Sequence, residues 1–554
     1  MTFVIPGLYG PGMTKVKVHE AVARALIDAG HTTLFGLLGD GNMQYCANYL
    51  DLGGRFIGAV HEGNAVSMAD GYARETDRVA VVSVTHGPAV TNTLTALTEA
   101  VRAGTPVLLL TGDTPQRRDF VQHVDLPTAA ALAGASYRRV LLPEHVVDDV
   151  ARALRHVAVT RTPMILDIPH ALLNEEIDHA PSRFTDATPA APGPDESALD
   201  TAVGVLAAAR RPVVIAGAGA VRADARDQLV ALADVLGAPL ATTLLAKDYF
   251  AGVPGNVGVC GTVSHDAGID VISSADCLVV FGASLNQYTA GHGDLVRGKA
   301  IVHCDVDPSA LGRYFPVTAG VVGDAALTAA AMRTMLEDAG VSPRPFNTEA
   351  LRQRLEEHDP SADFTASRGD GVVDMRTAII ELDRALPSSR SVVTDTGRFM
   401  SAPWKYLHVG GGGRFHHTVN FGSSGLGLST AIGAAVANRS GLTVAVAGDG
   451  GVAMSYMELA TAAREKLPLV VVILDDSCYG AEYTKLADAG LDPSYSLLRW
   501  PDLAEVARAL GCHAVTVTTE EQLADAAKLV DEGRLPLVID VRADPTVDVG
   551  VLNG

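Results

Sequence analysis

Between Thr443 and Glu482 the chain carries two apolar runs joined by a helical pattern, and both runs end in acid. Thr443 to Ala447 breaks at Gly448-Asp449-Gly450. Met457, Leu459, Ala460 and Ala463 then recur at helical spacing, and Leu469 to Leu474 stops at Asp475-Asp476. The pattern predicts a strand-helix-strand unit. In a parallel sheet both carboxyl ends lie on one edge, so Asp449 and Asp476 can converge there on one hard cation. Glycines at the first turn let backbone N–H groups approach a diphosphate that shares the metal. A Gly-Asp-Gly triplet alone is also found in ordinary solvated β-to-α turns, so its meaning rests on the rest of the chain.

That rest keeps the same rhythm. From Val16 to about Pro169 short β-rich runs (TTLFGLLG, RFIGAV, VAVVSVT, PVLLLTG, PMILDIP) alternate with helical stretches such as VHEAVARALIDAG and GNAVSMADGYAR. A Pro-dense, aperiodic segment from Pro181 to Ser197 reads as a linker. The α/β alternation resumes with RPVVIAGAGAV, APLATTLLA, CLVVFGA and AIVHCDVDP. A polar stretch, about 340–371 with the charged helical piece LRQRLEEH, precedes SVVTDTG, LTVAVAGDG, PLVVVILDD and PLVIDVR. Such alternation predicts an α/β chain of three doubly wound parallel-sheet domains, at 14–180, 198–340 and 372–554. Gly217 and Gly219 follow a strand as in a dinucleotide turn, but Arg222 stands where a third glycine belongs, which favours a structural Rossmann-like domain.

Bulk composition narrows the function. Lys+Arg 43 against Asp+Glu 64 leaves a net charge of -21, which argues against nucleic acid or an anionic membrane as partner. The six cysteines (Cys46, Cys260, Cys277, Cys304, Cys478, Cys512) form no CxxC pair, so neither a disulfide framework nor a zinc site is expected. The N-terminus has no basic start followed by a long apolar core, and no run reaches membrane-spanning length. The expectation is a cytoplasmic enzyme.

Three sets of motifs, in order, carry a resemblance. VHEGNAVSMADGYAR at 60–74 and VTHGPAVTNTLTAL at 84–97, then RPVVIAGAGAV, FGASLNQYT and HCDVDP, then the Gly448-Asp449-Gly450 to Asp475-Asp476 stretch resemble the thiamine diphosphate-dependent enzymes of the acetolactate synthase and pyruvate decarboxylase superfamily. The resemblance implies pyrimidine-binding, central Rossmann-like and diphosphate-binding domains. By position, Asp449, Asp476 and the Cys478 carbonyl would ligate Mg²⁺. Thr396, Gly397, Arg398, Gly448, Gly450, Gly451, Tyr479 and Gly480 would surround the cofactor. The family has an Asn pair where this chain has Asp475-Asp476; the extra carboxylate suits a hard cation but adds negative charge beside a diphosphate.

Glu62 matches the family's activating glutamate. A carboxylate at N1' of the aminopyrimidine favours the imino tautomer that deprotonates thiazolium C2; addition to a 2-oxo acid then allows loss of CO₂ to an enamine. The family bends the cofactor with a large apolar residue in a glycine-rich turn, here Phe421-Gly-Ser-Ser-Gly-Leu-Gly427. Ser424 at that position is too small, so Leu426 or a residue from elsewhere must take its role.

Details of the pocket point two ways. Asp40 in Gly39-Asp40-Gly41-Asn42, Glu482 six residues after Asp476, and His123 resemble decarboxylase groups that could protonate the enamine. Asp40 could equally form an Asx turn and Glu482 a helix-start carboxylate. Phe120-Val-Gln122-His-Val-Asp125 also resembles an acetolactate synthase segment whose glutamine faces the cofactor, and His86 could line either pocket. The resemblance implies a thiamine diphosphate- and Mg²⁺-dependent carbon-carbon lyase acting on a 2-oxo acid, releasing an aldehyde or forming an acyloin with an aldehyde or ketone acceptor. The alternatives are an acetolactate synthase-type carboligase, a 2-hydroxyacyl lyase, or a catalytically silent cofactor-binding or regulatory subunit. FAD is unsupported by any motif, although Asp305 and Asp307 could contact a nucleotide. A homodimer or homotetramer with shared sites is implied.

Overall fold

The computed structural model describes residues 14–113, 119–179, 190–367, 369, 371–547 and 549; residues 181–189 of the expected linker lie outside these. Three six-stranded sheets, each parallel throughout, follow one another along the chain. The first runs Arg55–Gly58, Thr33–Gly36, Ala80–Ser83, Val107–Thr111, Met164–Asp167, Ser136–Arg139 across its width. The third runs Phe415–His417, Arg390–Thr394, Leu442–Gly448, Leu469–Asp475, Leu537–Arg542, His513–Val517. With strands counted in chain order within each sheet, both read 2-1-3-4-6-5. The central sheet reads 3-2-1-4-5-6, the order of doubly wound dinucleotide-binding folds. An antiparallel ribbon of Thr14–Lys17 with Glu176–His179 joins the start of the first unit to its end.

Each sheet is covered on both faces. Along Leu469–Asp475, Val471 and Ile473 enter one core while Val470, Val472 and Leu474 enter another. Strands buried on both faces need apolar residues at every position, which is why the central strands read as continuous Val, Ile and Leu runs. One core is common to the first and third units, joining Phe35, Ile57 and Leu109 to Ala445, Val471 and Val538. Helices Glu62–Thr76 and Gly427–Ala437 cross inside it. A Cβ at Gly71 would sit 1.9 Å from the Thr430 carbonyl oxygen, and one at Gly433 would sit 1.8 Å from that of Met68. The crossing therefore requires glycine on both helices.

Carboxylates with almost no exposure bracket this crossing. Glu99 of the first unit accepts from Asn420 Nδ2 and the Phe421 N–H, both at 2.7 Å, and pairs with Arg74 at 3.2 Å. Glu75 pairs with His416 at 2.9 Å and with Arg414, and accepts from Ser391 Oγ at 2.8 Å. The central unit is latched to the third by Lys247, 3% exposed, whose Nζ donates to the Trp404 carbonyl at 2.9 Å.

One reading changes. The stretch after Gly448 is not one helix: it is a helix Asp449–Ala453, a 3-10 turn Tyr456–Glu458 and a helix Leu459–Arg464. Ser455 leaves the helical region at φ -128 and ψ 16, and this bend turns Glu458 toward the first unit. Gly217 and Gly219 are filled by protein: a Cβ on Gly217 would lie 2.3 Å from the Gly282 carbonyl oxygen, and one on Gly219 2.7 Å from Gly282 Cα. Asp305 and Asp307 serve their own loop, accepting from the Asp307 and Ser309 N–H groups at 2.9 Å. All six cysteines are buried and unpaired; burial pushes the Cys46, Cys260, Cys277 and Cys304 thiols up to about 12.

A methyl group at the crossing and one on an open helix face should act oppositely. Gly71→Ala forces two backbones apart and is expected to destabilise by about 2–3 kcal/mol. Gly204→Ala lies inside helix Glu196–Ala208 with nothing within 4 Å of the new Cβ, and should stabilise by up to about 1 kcal/mol. Thermal unfolding followed by circular dichroism should show the midpoint falling in the first variant and holding or rising in the second.

Candidate active site

The carboxyl edge of the third sheet gathers the acids. Leu442–Gly448 and Leu469–Asp475 are neighbours in register, Gly448 opposite Leu474. Asp449 therefore begins its helix beside the end of the next strand. It is 2% exposed, and its Oδ2 accepts from Trp500 Nε1 at 2.7 Å. Burial, then the charges of Asp476 and Asp475, push the Asp449 carboxyl up to about 7. Crowded carboxylates of this kind are a setting in which a hard cation can be held.

Asp475 is taken up by its own turn and by Arg542. Its Oδ1 accepts from the Ser477 N–H and Oγ at 2.9 and 3.0 Å, and its Oδ2 pairs with Arg542. The resulting turn holds Ser477 at φ 52, a left-handed conformation that non-glycine residues adopt rarely and mostly where the surroundings impose it. Asp476 points the other way, its Oδ2 accepting from Arg398 Nη2 at 2.7 Å. Cys478, next in the loop, bridges to Leu497. Tyr479 caps helix Gly480–Asp488 and packs on Gly450, where a Cβ would lie 2.9 Å from its ring.

The neighbouring glycine-rich turn is organised by Asp395, which sequence reading did not single out. Its buried carboxylate accepts from the Gly425 N–H at 2.8 Å, the Gly427 N–H at 3.2 Å and Thr418 Oγ1 at 3.1 Å. A Cβ on Gly451 would come within 2.5 Å of Asp395 Oδ2, so the turns after two strands touch only through glycine. Ser424 Oγ donates to the Thr396 carbonyl at 3.3 Å. Leu426 is buried in the core shared with the first unit. The large apolar side chain beside this turn is Met454, 61% exposed and against Gly425. Gly397 links Thr396 to Arg398 through an extended backbone.

On the first unit, Glu62 opens helix Glu62–Thr76 and its Oε2 accepts from Asn92 Nδ2 at 3.0 Å. The strand-to-helix turn before it is held by the third unit. Glu458, fully buried, accepts with Oε1 from the N–H groups of Val60 at 2.8 Å and His61 at 3.2 Å and from Asn64 Nδ2 at 3.0 Å, and with Oε2 from Thr461 Oγ1 at 2.9 Å. From sequence Glu458 is an ordinary polar residue of an amphipathic stretch; only the bend at Ser455 gives it this role.

The remaining expected residues fall into two groups. His86 Nε2 meets Gln122 Oε1 at 2.9 Å, and a Cβ on Gly41 would lie 2.8 Å from His86 Nδ1, so His86, Gln122 and the Asp40-Gly41 turn come together. That loop is closed by Asn42, whose Oδ1 accepts from the Gly39 N–H three residues earlier at 2.8 Å; Asp40 is left exposed, 3.8 Å from His170. His123 is exposed while Gln122 is half-buried, and Glu482 is exposed on the first turn of its helix. No hydrogen bond or ion pair joins Asp40, His123 and Glu482 among the described residues of one chain.

Residues 16–129 match the N-terminal TPP binding domain of thiamine pyrophosphate enzymes, 199–332 the central domain and 395–541 the C-terminal TPP binding domain. The chain belongs to the thiamine pyrophosphate enzyme family. It is 29% identical to a sulfoacetaldehyde acetyltransferase of Castellaniella defragrans, over 93% of this chain and 91% of that protein. It is 28% identical to an acetolactate synthase large subunit of Parasynechococcus marenigrum (97% and 89%) and 28% identical to a probable 2-ketoarginine decarboxylase of Pseudomonas aeruginosa (89% and 88%). The donor chemistry suits the cofactor: Asp449 and Asp476 after adjacent strand ends, glycines at each turn, and a buried Arg398 Nε with no partner among the described residues. No helix among the described residues is long and apolar enough to cross a membrane.

Glu458→Ala leaves two backbone donors at the Glu62 turn without an acceptor. A loss of about 2–4 kcal/mol is expected, with the amides of Val60 and His61 exchanging faster in native-state hydrogen exchange than in the parent protein.

Proposed function

We propose that this protein is a thiamine diphosphate- and Mg²⁺-dependent carbon-carbon lyase that acts on a 2-oxo acid. The observation that carries the proposal is the convergence of Asp449 and Asp476 at adjacent strand ends of a TPP-binding domain whose N-terminal counterpart starts a helix with Glu62. In this reading Asp449, Asp476 and the Cys478 carbonyl hold the metal. The turns at Thr396-Gly397, Ser424 and Gly448–Gly451, with Tyr479 and Gly480, receive the diphosphate and thiazolium. Bound there, the cofactor supplies a carbon nucleophile and an electron sink for decarboxylation. Glu62, oriented by Asn92, holds a proton at the aminopyrimidine. Met454 provides the apolar bulk that Ser424 and the core-facing Leu426 do not.

After loss of CO₂ the bound fragment is either protonated and released or captured by an acceptor. The inward contact of Gln122 with His86, and the outward position of His123, favour capture by an aldehyde or ketone in the manner of a carboligase. Asp40 and Glu482 are the acids available for the competing protonation. Glu62 and Asp449 serve one cofactor from two different chains, which makes a homodimer the smallest active unit and a homotetramer a pair of such dimers. No flavin is assigned to the central unit, where protein fills the glycine turn.

The test is a panel of 2-oxo acids, with and without aldehyde acceptors, monitored for CO₂ and for product. The parent protein should release CO₂ from at least one acid and form acyloin when acceptor is present; Glu62→Gln should lose activity by roughly a hundredfold or more, as for a lost general acid-base group. Cofactor binding without CO₂ release from any acid would instead identify a silent binding subunit. Calorimetry should show that Asp449→Ala loses the Mg²⁺-dependent part of thiamine diphosphate binding, because Asp449 supplies a carboxylate to the cation.

A further inference from the structure

The edge assigned to the diphosphate carries two adjacent carboxylates, Asp475 and Asp476, and an arginine stands against each. Arg542 pairs with Asp475 and, at 2.9 Å, with Asp540. Arg398 pairs with Asp476 and is itself only 4% exposed at the side chain. Its Nη1 donates to the Pro545 carbonyl at 2.7 Å and the Val547 carbonyl at 3.4 Å, and its Nη2 to Asp476 Oδ2 at 2.7 Å. Its Nε is buried and has no acceptor among the described residues. That nitrogen faces Gly480, where a Cβ would lie 2.7 Å from it and 3.0 Å from Asp476 Oδ2. A buried guanidinium N–H without an acceptor is costly, and the acceptor it matches best is an anionic oxygen.

We propose that Arg398 is a resident counter-cation of this site: it neutralises Asp476 and offers its free Nε–H to the diphosphate of the cofactor, so that protein charge carries part of the work otherwise done by the divalent ion. The inference rests on the thiamine diphosphate reading of the site. It has a particular consequence. Arg398 and Asp476 form one charge unit, so removing either alone unbalances the edge, whereas removing both leaves its charge balanced. Asp476 keeps Oδ1 for the metal, its described partner there being the Cys478 N–H at 3.3 Å.

The experiment is calorimetric titration of the full-length protein with thiamine diphosphate, in saturating Mg²⁺ and in EDTA. It compares the parent protein with Arg398→Gln, Arg398→Lys, Asp476→Asn and the double variant Arg398→Gln/Asp476→Asn. With Mg²⁺, Arg398→Gln should weaken binding by roughly 10- to 100-fold, as for one charge-assisted hydrogen bond. The double variant should recover most of that loss, and only proteins with Arg398 should bind measurably in EDTA. Arg398→Lys keeps the charge but not the Nε–H and should fall between parent and Gln. Unchanged affinity in Arg398→Gln, or a double variant as weak as the sum of the singles, overturns the inference while leaving the cofactor assignment intact. Should Arg398→Gln fail to fold because Asp476 is left buried and unpaired, the lysine and double variants decide by the same criteria. A parent protein that binds no thiamine diphosphate even with Mg²⁺ overturns the cofactor assignment itself.

Discussion

The crossing of helices Glu62–Thr76 and Gly427–Ala437 is the constraint on which the first and third units both depend. Backbone meets backbone there, and interiors packed to crystal-like density do not slide. Carboxylates from both sides then complete the joint: Glu75 and Glu99 reach into the third unit and Glu458 reaches back into the first. Each accepts several donors, the condition under which buried charge is tolerated rather than disruptive. Residues far apart in sequence are thereby held in one frame. The turn that presents Glu62 is capped by a residue nine positions beyond Asp449, so the two halves of the candidate site are built on one rigid body in each chain.

The second constraint is charge. Four aspartates, Asp449, Asp475, Asp476 and Asp540, crowd one sheet edge, and burial together with mutual repulsion pushes Asp449 and Asp540 up to about 7. Two arginines offset part of this, each from a different direction: Arg542 along its own strand, and Arg398 from the turn after Arg390–Thr394. What remains is Asp449, which accepts from the Trp500 N–H and pairs with no arginine among the described residues.

Apart from the edge strand Arg55–Gly58, the strands that were legible in sequence are the ones buried on both faces. PVLLLTG, PLVVVILDD and CLVVFGA are continuous apolar runs because helices cover both sides of the sheet there. Five edge strands were not: Ser136–Arg139, Asn256–Val259, Ala319–Val322, Phe415–His417 and His513–Val517. They are short and mixed in polarity, since an edge has fewer neighbours to pack against, and no local pattern marks SYRR or FHH as a strand. The paired topology of the first and third sheets was invisible for the same reason, because it depends on where those edge strands attach.

For the site, the sequence by itself determined the chemistry at the ends of strands. Strand direction alone sends Asp449 and Asp476 to one edge, and the order of motifs along the chain sufficed to place the family. Tertiary structure decided which side chains face that edge and what each one contacts: Asp475 turned aside to Arg542, Asn42 rather than Asp40 closing its loop, Gln122 inward on His86, and Asp395 and Glu458 holding the turns. The physical reason is range. A strand end is set by local backbone pattern, whereas the partner of a buried carboxylate comes from tens to hundreds of residues away, chosen by packing that a one-dimensional pattern does not encode.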